Sequence, residues 1–102
     1  MRNEYKLLPK TSKLTEECVI MLEEAAKYTK KTSPIQATIM KTQFEETRKT
    51  IERMPTMGTL HKNGIRKIKL GKFKYYVYYR EKEDIIEILG IHHTRKGTEF
   101  LG

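Results

Sequence analysis

The chain has 102 residues, 33% of them charged and 37% hydrophobic, which allows one domain with a single modest core. No apolar run approaches the roughly 20 residues of a membrane span, the N-terminus lacks the apolar core of a signal peptide, and the single Cys18 excludes an internal disulfide. We therefore expect one cytoplasmic domain over residues 1–102. The net charge of +8 favours a polyanion or an acidic protein as partner, with simple solubility as the alternative.

The first half of the chain predicts a short strand followed by a helical hairpin. Residues 4–9 (EYKLLP) indicate the strand. From Thr15, an expected N-cap, apolar residues recur at three- and four-residue steps and predict a helix. Ser33-Pro34 begins a second helix, because proline suits the first helical position, and this helix should continue to Pro55 and pack antiparallel on the first. The apolar stripe of the first helix is Leu14, Cys18, Met21, Ala25 and Tyr28.

The second half predicts three antiparallel strands. Residues 55–64 (PTMGTLHKNG) are rich in turn formers and indicate a loop. Two alternating runs follow at residues 64–70 and 73–80, and the two residues Gly71-Lys72 between them suit a type II′ turn. Residues 85–91 form a largely apolar run that belongs inside the sheet. The predicted fold class is α+β, with the two helices covering one face of the sheet.

The two-residue turn predicts which side chains share a sheet face. Counting outward from it, the apolar positions face the helices and Lys69 lies opposite Lys74, an unfavourable pair that a partner with negative charge would relieve. The outer face is then predicted to carry Lys67, Lys69, Lys74, Tyr76 and Tyr78. Lysines interleaved with tyrosines are typical of a nucleic-acid-binding surface, because ammonium groups can pair with phosphates and the rings can stack on unstacked bases. The alternative is a solvated face in which Lys gives solubility and Tyr gives strand propensity.

The three histidines are the candidates for metal or acid–base chemistry. His92 and His93 are adjacent and should point to opposite sides of a strand, and His61 is distant in the sequence. The spacings typical of zinc ligands, Cys-x-x-Cys and His-x-x-x-His, do not occur. We therefore expect no metal and no other cofactor. A single histidine near the basic face could act as a general acid or base, or could cap the strand end.

The second half of the chain resembles the RelE/ParE superfamily, the toxins of type II toxin–antitoxin modules. The superfamily pattern is an Arg-led strand, a short turn, an aromatic-rich Y-x-V-x-Y strand, an apolar strand and a final H-x-R-R/K. Arg66, residues 73–80 and the segment His93-Thr94-Arg95-Lys96 match this pattern in order. The P-x-M-G of residues 55–58 occupies the usual loop before the strands, and the helical hairpin lies where the superfamily has one.

The resemblance implies a small basic toxin held inactive by a cognate antitoxin with an acidic or amphipathic segment. RelE-like members cut mRNA in the ribosomal A site, whereas ParE-like members poison DNA gyrase. For metal-free cleavage, in which cations stabilise charge at the reacting phosphate, the resemblance gives as catalytic candidates Lys67, Lys69, Lys74, His93 and Arg95. The nucleic-acid-binding candidates are Arg66, Tyr76, Tyr78, Arg80 and Lys96.

The sequence also departs from the nuclease pattern. Lys74 stands where an arginine is common, and Phe100 offers no hydroxyl where a C-terminal catalytic tyrosine would be needed. The H-x-R-K ending also suits ParE-like sequences, which need no nuclease site. We interpret the chain as a ribosome-dependent mRNA-cleaving toxin, with non-enzymatic inhibition of DNA gyrase as the alternative. A plain nucleic-acid-binding module fits the charge but not the ordered pattern.

Overall fold

The computed structural model describes residues 10–94 as two helices packed on one face of a five-stranded sheet. The helices are α1 (Glu16–Thr32) and α2 (Pro34–Arg53), and the strands are β1 (Thr11–Leu14), β2 (Thr59–Lys62), β3 (Ile65–Lys69), β4 (Tyr75–Glu81) and β5 (Ile85–His93). The strand order is β1-β5-β4-β3-β2, with β1 parallel to β5 and the other pairs antiparallel. The predicted α+β class and the internal position of β5 are confirmed.

Capping residues begin both helices where the sequence predicts, and one of them also ends α1. The Thr15 hydroxyl accepts a hydrogen bond from the Cys18 N–H at 3.0 Å and begins α1. Ser33 lies between the two helices and caps both of them. Its N–H donates to the Thr29 carbonyl at 2.9 Å, and its hydroxyl accepts from the Gln36 N–H at 3.2 Å. One residue therefore ends α1 and begins α2, which makes the hairpin connection very short.

The core lies between the helix pair and the inner face of the sheet. Its buried members are Cys18, Ala25, Met40, Phe44, Ile51, Leu70, Val77, Tyr79, Ile86, Ile88 and Ile91. Tyr28, which the sequence places on the buried stripe of α1, is instead 71% exposed and lines an open cavity beside that helix. Within residues 10–94, neither helix combines the length and the apolarity that crossing a bilayer requires.

The turn between β3 and β4 contains four residues, so the predicted two-residue turn at Gly71-Lys72 is wrong. The Leu70 N–H donates to the Tyr75 carbonyl at 2.9 Å, and residues 71–74 form the connection. Phe73 lies in this turn and packs against the core, which draws the turn inward. Gly71 adopts a φ of 52°, a conformation that favours glycine.

The longer turn shifts the register of the hairpin by two residues. Lys69 lies opposite Tyr76 rather than Lys74, and Lys74 lies in the turn, so the predicted Lys69–Lys74 pair is wrong. A shift by two preserves the face on which each strand side chain lies, since side chains alternate with period two. The predicted division of β3 and β4 into an inner apolar face and an outer basic and aromatic face therefore holds.

Two edge strands differ from the sequence-based assignment. Residues 55–64 are not loop throughout, because Thr59–Lys62 forms β2, which pairs with β3 and contains a bulge at His61. The strand predicted at residues 4–9 lies outside the described residues, and β1 begins at Thr11. Arg48 of α2 holds β1 in place by donating to the Ser12 hydroxyl at 2.8 Å. Both segments are short and polar, so they lack the apolar alternation that reveals a strand.

Candidate functional surfaces

The outer face of the sheet brings together the basic and aromatic side chains predicted from alternation. Lys67 lies opposite Tyr78, and Lys69 lies opposite Tyr76. The Lys67 ammonium nitrogen is 4.5 Å from the centre of the Tyr76 ring, a cation–π contact. The rings of Tyr76 and Tyr78 meet edge to face at 6.3 Å. This face therefore has the composition that the sequence predicts, but its aromatic rings are already engaged with neighbours.

Tyr78 is packed into the outer face rather than presented on it. Its exposed fraction is 3%, and the residue opposite it on β5 is Gly90, which leaves room for the ring. His61, from the β2 bulge, packs against the same ring with the centroids 6.1 Å apart. Burial, and then the neighbouring Tyr76, raises the pKa of the Tyr78 phenol, so the hydroxyl stays neutral at physiological pH. A base cannot stack on Tyr78 without displacing these side chains.

Arg66 lies on the inner face and supports the loop before β2. Its Nη1 donates to the Gly58 carbonyl at 2.9 Å, and the hydroxyl of the cross-strand neighbour Tyr79 donates to the Pro55 carbonyl at 2.8 Å. The Gly58 N–H donates to the same hydroxyl at 2.9 Å. A Cβ at Gly58 would lie 2.5 Å from the Tyr79 Oη, which explains the glycine of the P-x-M-G motif. Arg66, a predicted nucleic-acid contact, is thus engaged within the fold.

Arg80 is paired across the sheet with an acidic residue. Its Nη2 donates to Glu87 Oε1 at 3.0 Å, and the Lys82 ammonium approaches the same oxygen at 3.5 Å. The hydrogen bond from Arg80 is the main reason why the pKa of Glu87 lies below its ordinary value. The positive charge of Arg80, another predicted nucleic-acid contact, is therefore partly balanced within the protein.

The described members of the predicted catalytic set lie on different surfaces. His93 pairs with Tyr75 on the inner face, where the two rings meet edge to face at 5.4 Å, whereas Lys67 and Lys69 lie on the outer face. Lys74 lies in the exposed turn. Arg95 and Lys96 lie outside the described residues. Among residues 10–94, no group of three or more His, Cys, Asp or Glu side chains is arranged as metal ligands.

A groove between the two helices carries a second concentration of positive charge. It has a volume of about 390 Å³ and is lined by Glu23, Ala26, Lys27, Lys30, Pro34, Ala37, Thr38 and Lys41. Ala26 and Ala37, which are buried, contribute only small side chains to this lining and so leave space between the helices. The sequence contains the signal for it in three lysines on facing helix surfaces, but only the packing of α1 against α2 shows that they share a groove.

The helical hairpin, the five-stranded sheet and the loop anchored at Gly58 agree with the layout of the RelE/ParE superfamily that the sequence resembles. Residues 13–97 match the family described as the ParE toxin of the type II toxin-antitoxin system parDE. Because this match covers most of the chain, the chain belongs to the ParE toxin family, and the resemblance to the RelE/ParE superfamily is confirmed.

A solved structure supports the same fold. A chain described as belonging to the chromosomal ParDE TA system from P. aeruginosa superimposes with a TM-score of 0.71 at 20% identity, covering 82% of this chain and 95% of that chain. At this level of identity the likeness establishes the shared fold. Among curated proteins, none matches the chain at a significant level.

Proposed function

We propose that this chain is the toxin of a type II toxin–antitoxin pair and that it inhibits DNA gyrase without catalysing a reaction. The observation that carries the proposal is the match of residues 13–97 to the ParE toxin family. The sequence resemblance alone favoured mRNA cleavage, with gyrase inhibition as the alternative. The family match reverses that order, since ParE-like members of the superfamily poison gyrase.

The distribution of the candidate residues supports the non-enzymatic proposal. A metal-free nuclease needs its acid–base groups and its cations around one phosphate, because proton transfer and charge stabilisation act on the same few atoms. Here His93 lies on the inner face of the sheet, while Lys67 and Lys69 lie on the outer face. A toxin that only binds its target needs no such convergence.

The proposal can be tested in cells by measuring the supercoiling of a reporter plasmid and the 5′ ends of mRNAs after expression of the chain is induced. We expect growth to stop, a reporter plasmid to lose negative supercoiling, and the 5′ ends of translated mRNAs to stay unchanged. A variant in which the Leu70 and Val77 core positions are both replaced by Asp, and which therefore cannot fold, serves as the inactive control. New 5′ ends inside coding regions, with plasmid topology unchanged, would contradict the proposal and favour mRNA cleavage.

The partner of the proposed toxin is a cognate antitoxin, and the groove between α1 and α2 is the surface on which we expect its acidic residues to dock. Lys27, Lys30 and Lys41 line this groove, and Glu23 is the only acidic residue among the described residues that line it. An acidic segment would neutralise cations that otherwise repel one another at close range. The net charge of +8 would accelerate the encounter of the two proteins.

A further inference from the structure

An open cavity lies beside the helical groove but on the other side of α1, above the ends of β4 and β5. Its volume is about 200 Å³. Apolar side chains, including Met21 and Ile91, line part of it, and Tyr28, Tyr75 and His93 contribute aromatic rings. The size suits the end of one side chain together with a few of its methylene groups.

With its two histidines, His92 and His93, counted as neutral, the described lining of this cavity has a charge opposite to that of the molecule. The chain contains 21 Lys and Arg residues, yet none of them is among the described residues that line the cavity, and Glu24 is the one carboxylate there. Within residues 10–94, no cation lies within 4.0 Å of the Glu24 carboxylate. The cavity therefore offers a negative charge that no described cation pairs, in a protein whose net charge is +8.

The aromatic rings of the cavity also favour a cation. Tyr28 is 71% exposed, so its ring is accessible beside Glu24. Burial, and then the proximity of Tyr28, raises the pKa of the Tyr75 phenol, so this ring is present in its neutral form. Neutral tyrosine rings attract cations over their faces through the ring quadrupole. His93 packs edge to face on Tyr75 at 5.4 Å and keeps that ring in place.

We propose that this cavity binds a cationic side chain, an arginine guanidinium or a lysine ammonium, that a partner protein presents. Glu24 would pair with the charge, the rings of Tyr28 and Tyr75 would contact its face, and the apolar floor would accept the methylene groups. A partner must carry the cation, because the net charge of +8 repels free cations and lowers their occupancy. The proposal concerns a binding site and is independent of whether the toxin acts on gyrase or on the ribosome.

The direct test is a titration of the purified protein, followed by NMR of its histidine and tyrosine rings. The probes are the N-acetyl methylamides of arginine and lysine, and the neutral control is the same derivative of citrulline, which has nearly the shape of arginine. We expect the cationic probes to shift the rings of Tyr28, Tyr75 and His93, and to bind about tenfold more tightly than the citrulline derivative. Equal binding of citrulline, or no shift at concentrations up to about 100 mM, would overturn the proposal.

Two neighbouring glutamates provide matched variants. Glu24→Gln removes the carboxylate of the cavity, and Glu23→Gln removes one that lines the groove between the helices instead. Both residues are exposed, so neither change should disturb folding. We expect Glu24→Gln to lower the affinity for the arginine probe about tenfold and Tyr28→Leu to lower it about threefold. Glu23→Gln should leave this affinity unchanged. An equal loss in both glutamine variants would mean that general surface charge, and not this cavity, attracts the probe.

Discussion

At the scale of single residues, one buried hydroxyl joins the sheet to the loop that precedes it. The Tyr79 side chain is fully buried, and its hydroxyl is hydrogen-bonded to the Pro55 carbonyl at 2.8 Å and to the Gly58 N–H at 2.9 Å. Burial is the largest influence on its pKa and raises it, so the phenol remains protonated and can donate. The loop therefore keeps its position because two of its backbone polar groups have partners inside the fold.

We predict that Tyr79→Phe lowers the free energy of unfolding by about 1–3 kcal/mol, because the Pro55 and Gly58 backbone groups would lose a buried partner. Chemical denaturation followed by circular dichroism measures the change. Tyr76→Phe is the matched control, since Tyr76 is only half-buried on the outer face, and its effect should stay within about 0.5 kcal/mol. Equal effects of the two variants would contradict the role given to the Tyr79 hydroxyl.

A second prediction at this scale concerns acid stability. The hydrogen bond from Arg80 lowers the pKa of Glu87 below the ordinary value of 4.5. A depressed carboxyl pKa contributes stability above the ordinary value, and this contribution disappears as the pH falls through the depressed one. We therefore expect the difference in unfolding free energy between the native chain and Glu87→Gln to be largest near pH 7 and to shrink progressively below pH 4.5.

Denaturation midpoints at several pH values measure this difference. Glu83→Gln is the control, because Glu83 is exposed in the turn between β4 and β5 and forms no ion pair with the residues that the structure describes. A Glu87→Gln variant whose stability runs parallel to that of the native chain down to pH 3 would show that the Arg80 contact contributes nothing to folding.

At the scale of secondary-structure elements, one residue at the hairpin corner serves both helices. We predict that Ser33→Ala destabilises the protein by about 0.5–2 kcal/mol, because the Gln36 N–H would lose its capping oxygen at the start of α2. Thermal unfolding measures the change. Thr38→Ala, a substitution at an exposed position inside the same helix, should have a much smaller effect. If both variants behave alike, the cap has no special contribution.

The helices were predictable from the sequence because their signals are local. Thr15 and Ser33 are side chains whose capping bonds reach only three residues ahead, and the apolar stripe of α2 repeats over twenty residues. The faces of β3 and β4 were predictable for a similar reason, since alternation survives a register shift of two residues. These features depend on neighbours in the sequence rather than on distant parts of the chain.

The features that were wrong or missed depend on tertiary contacts. The four-residue turn pairs Leu70 with Tyr75 and leaves Phe73 in the connection, packed against the core, and nothing in the local sequence distinguishes it from a two-residue turn at Gly71. β2 and β1 are short edge strands without apolar alternation, and β1 is tied down by Arg48 from another element. The packing of Tyr78 under His61 likewise required knowledge of where the β2 bulge lies.

At the scale of the whole molecule, charge should govern the encounter with the antitoxin. We predict that the affinity of the toxin for its cognate antitoxin weakens as salt rises, because ions screen the attraction between the groove lysines and acidic residues. Isothermal titration at two ionic strengths measures this dependence. A complex that is insensitive to salt would mean that apolar packing dominates, and the docking proposed for the groove would be wrong.

Two triple variants, each removing three positive charges, distinguish the role of the groove between the helices from that of the lysines on β3 and in the turn that follows it. Replacing Lys27, Lys30 and Lys41 by Gln should weaken antitoxin binding at low salt, because these three lysines share the groove. Replacing Lys67, Lys69 and Lys74 by Ala should change stability by no more than about 0.5 kcal/mol at each of the exposed Lys69 and Lys74, and by about 0.5–1 kcal/mol at the half-buried Lys67, which loses its contact with the Tyr76 ring. Growth arrest should stay intact, because a gyrase inhibitor needs no catalytic cations. Growth assays and titration measure both effects. Loss of toxicity in the second variant alone would favour mRNA cleavage.

The measurement that tests the proposed function most directly is the supercoiling of a relaxed plasmid by purified DNA gyrase in the presence of this chain. We expect supercoiling to fall as the chain approaches stoichiometric amounts, and to recover when the cognate antitoxin is added. The folding-deficient double Asp variant should have no effect. Full supercoiling at excess toxin, together with cleavage of mRNA when the same preparation is added to a translating extract, would contradict gyrase inhibition.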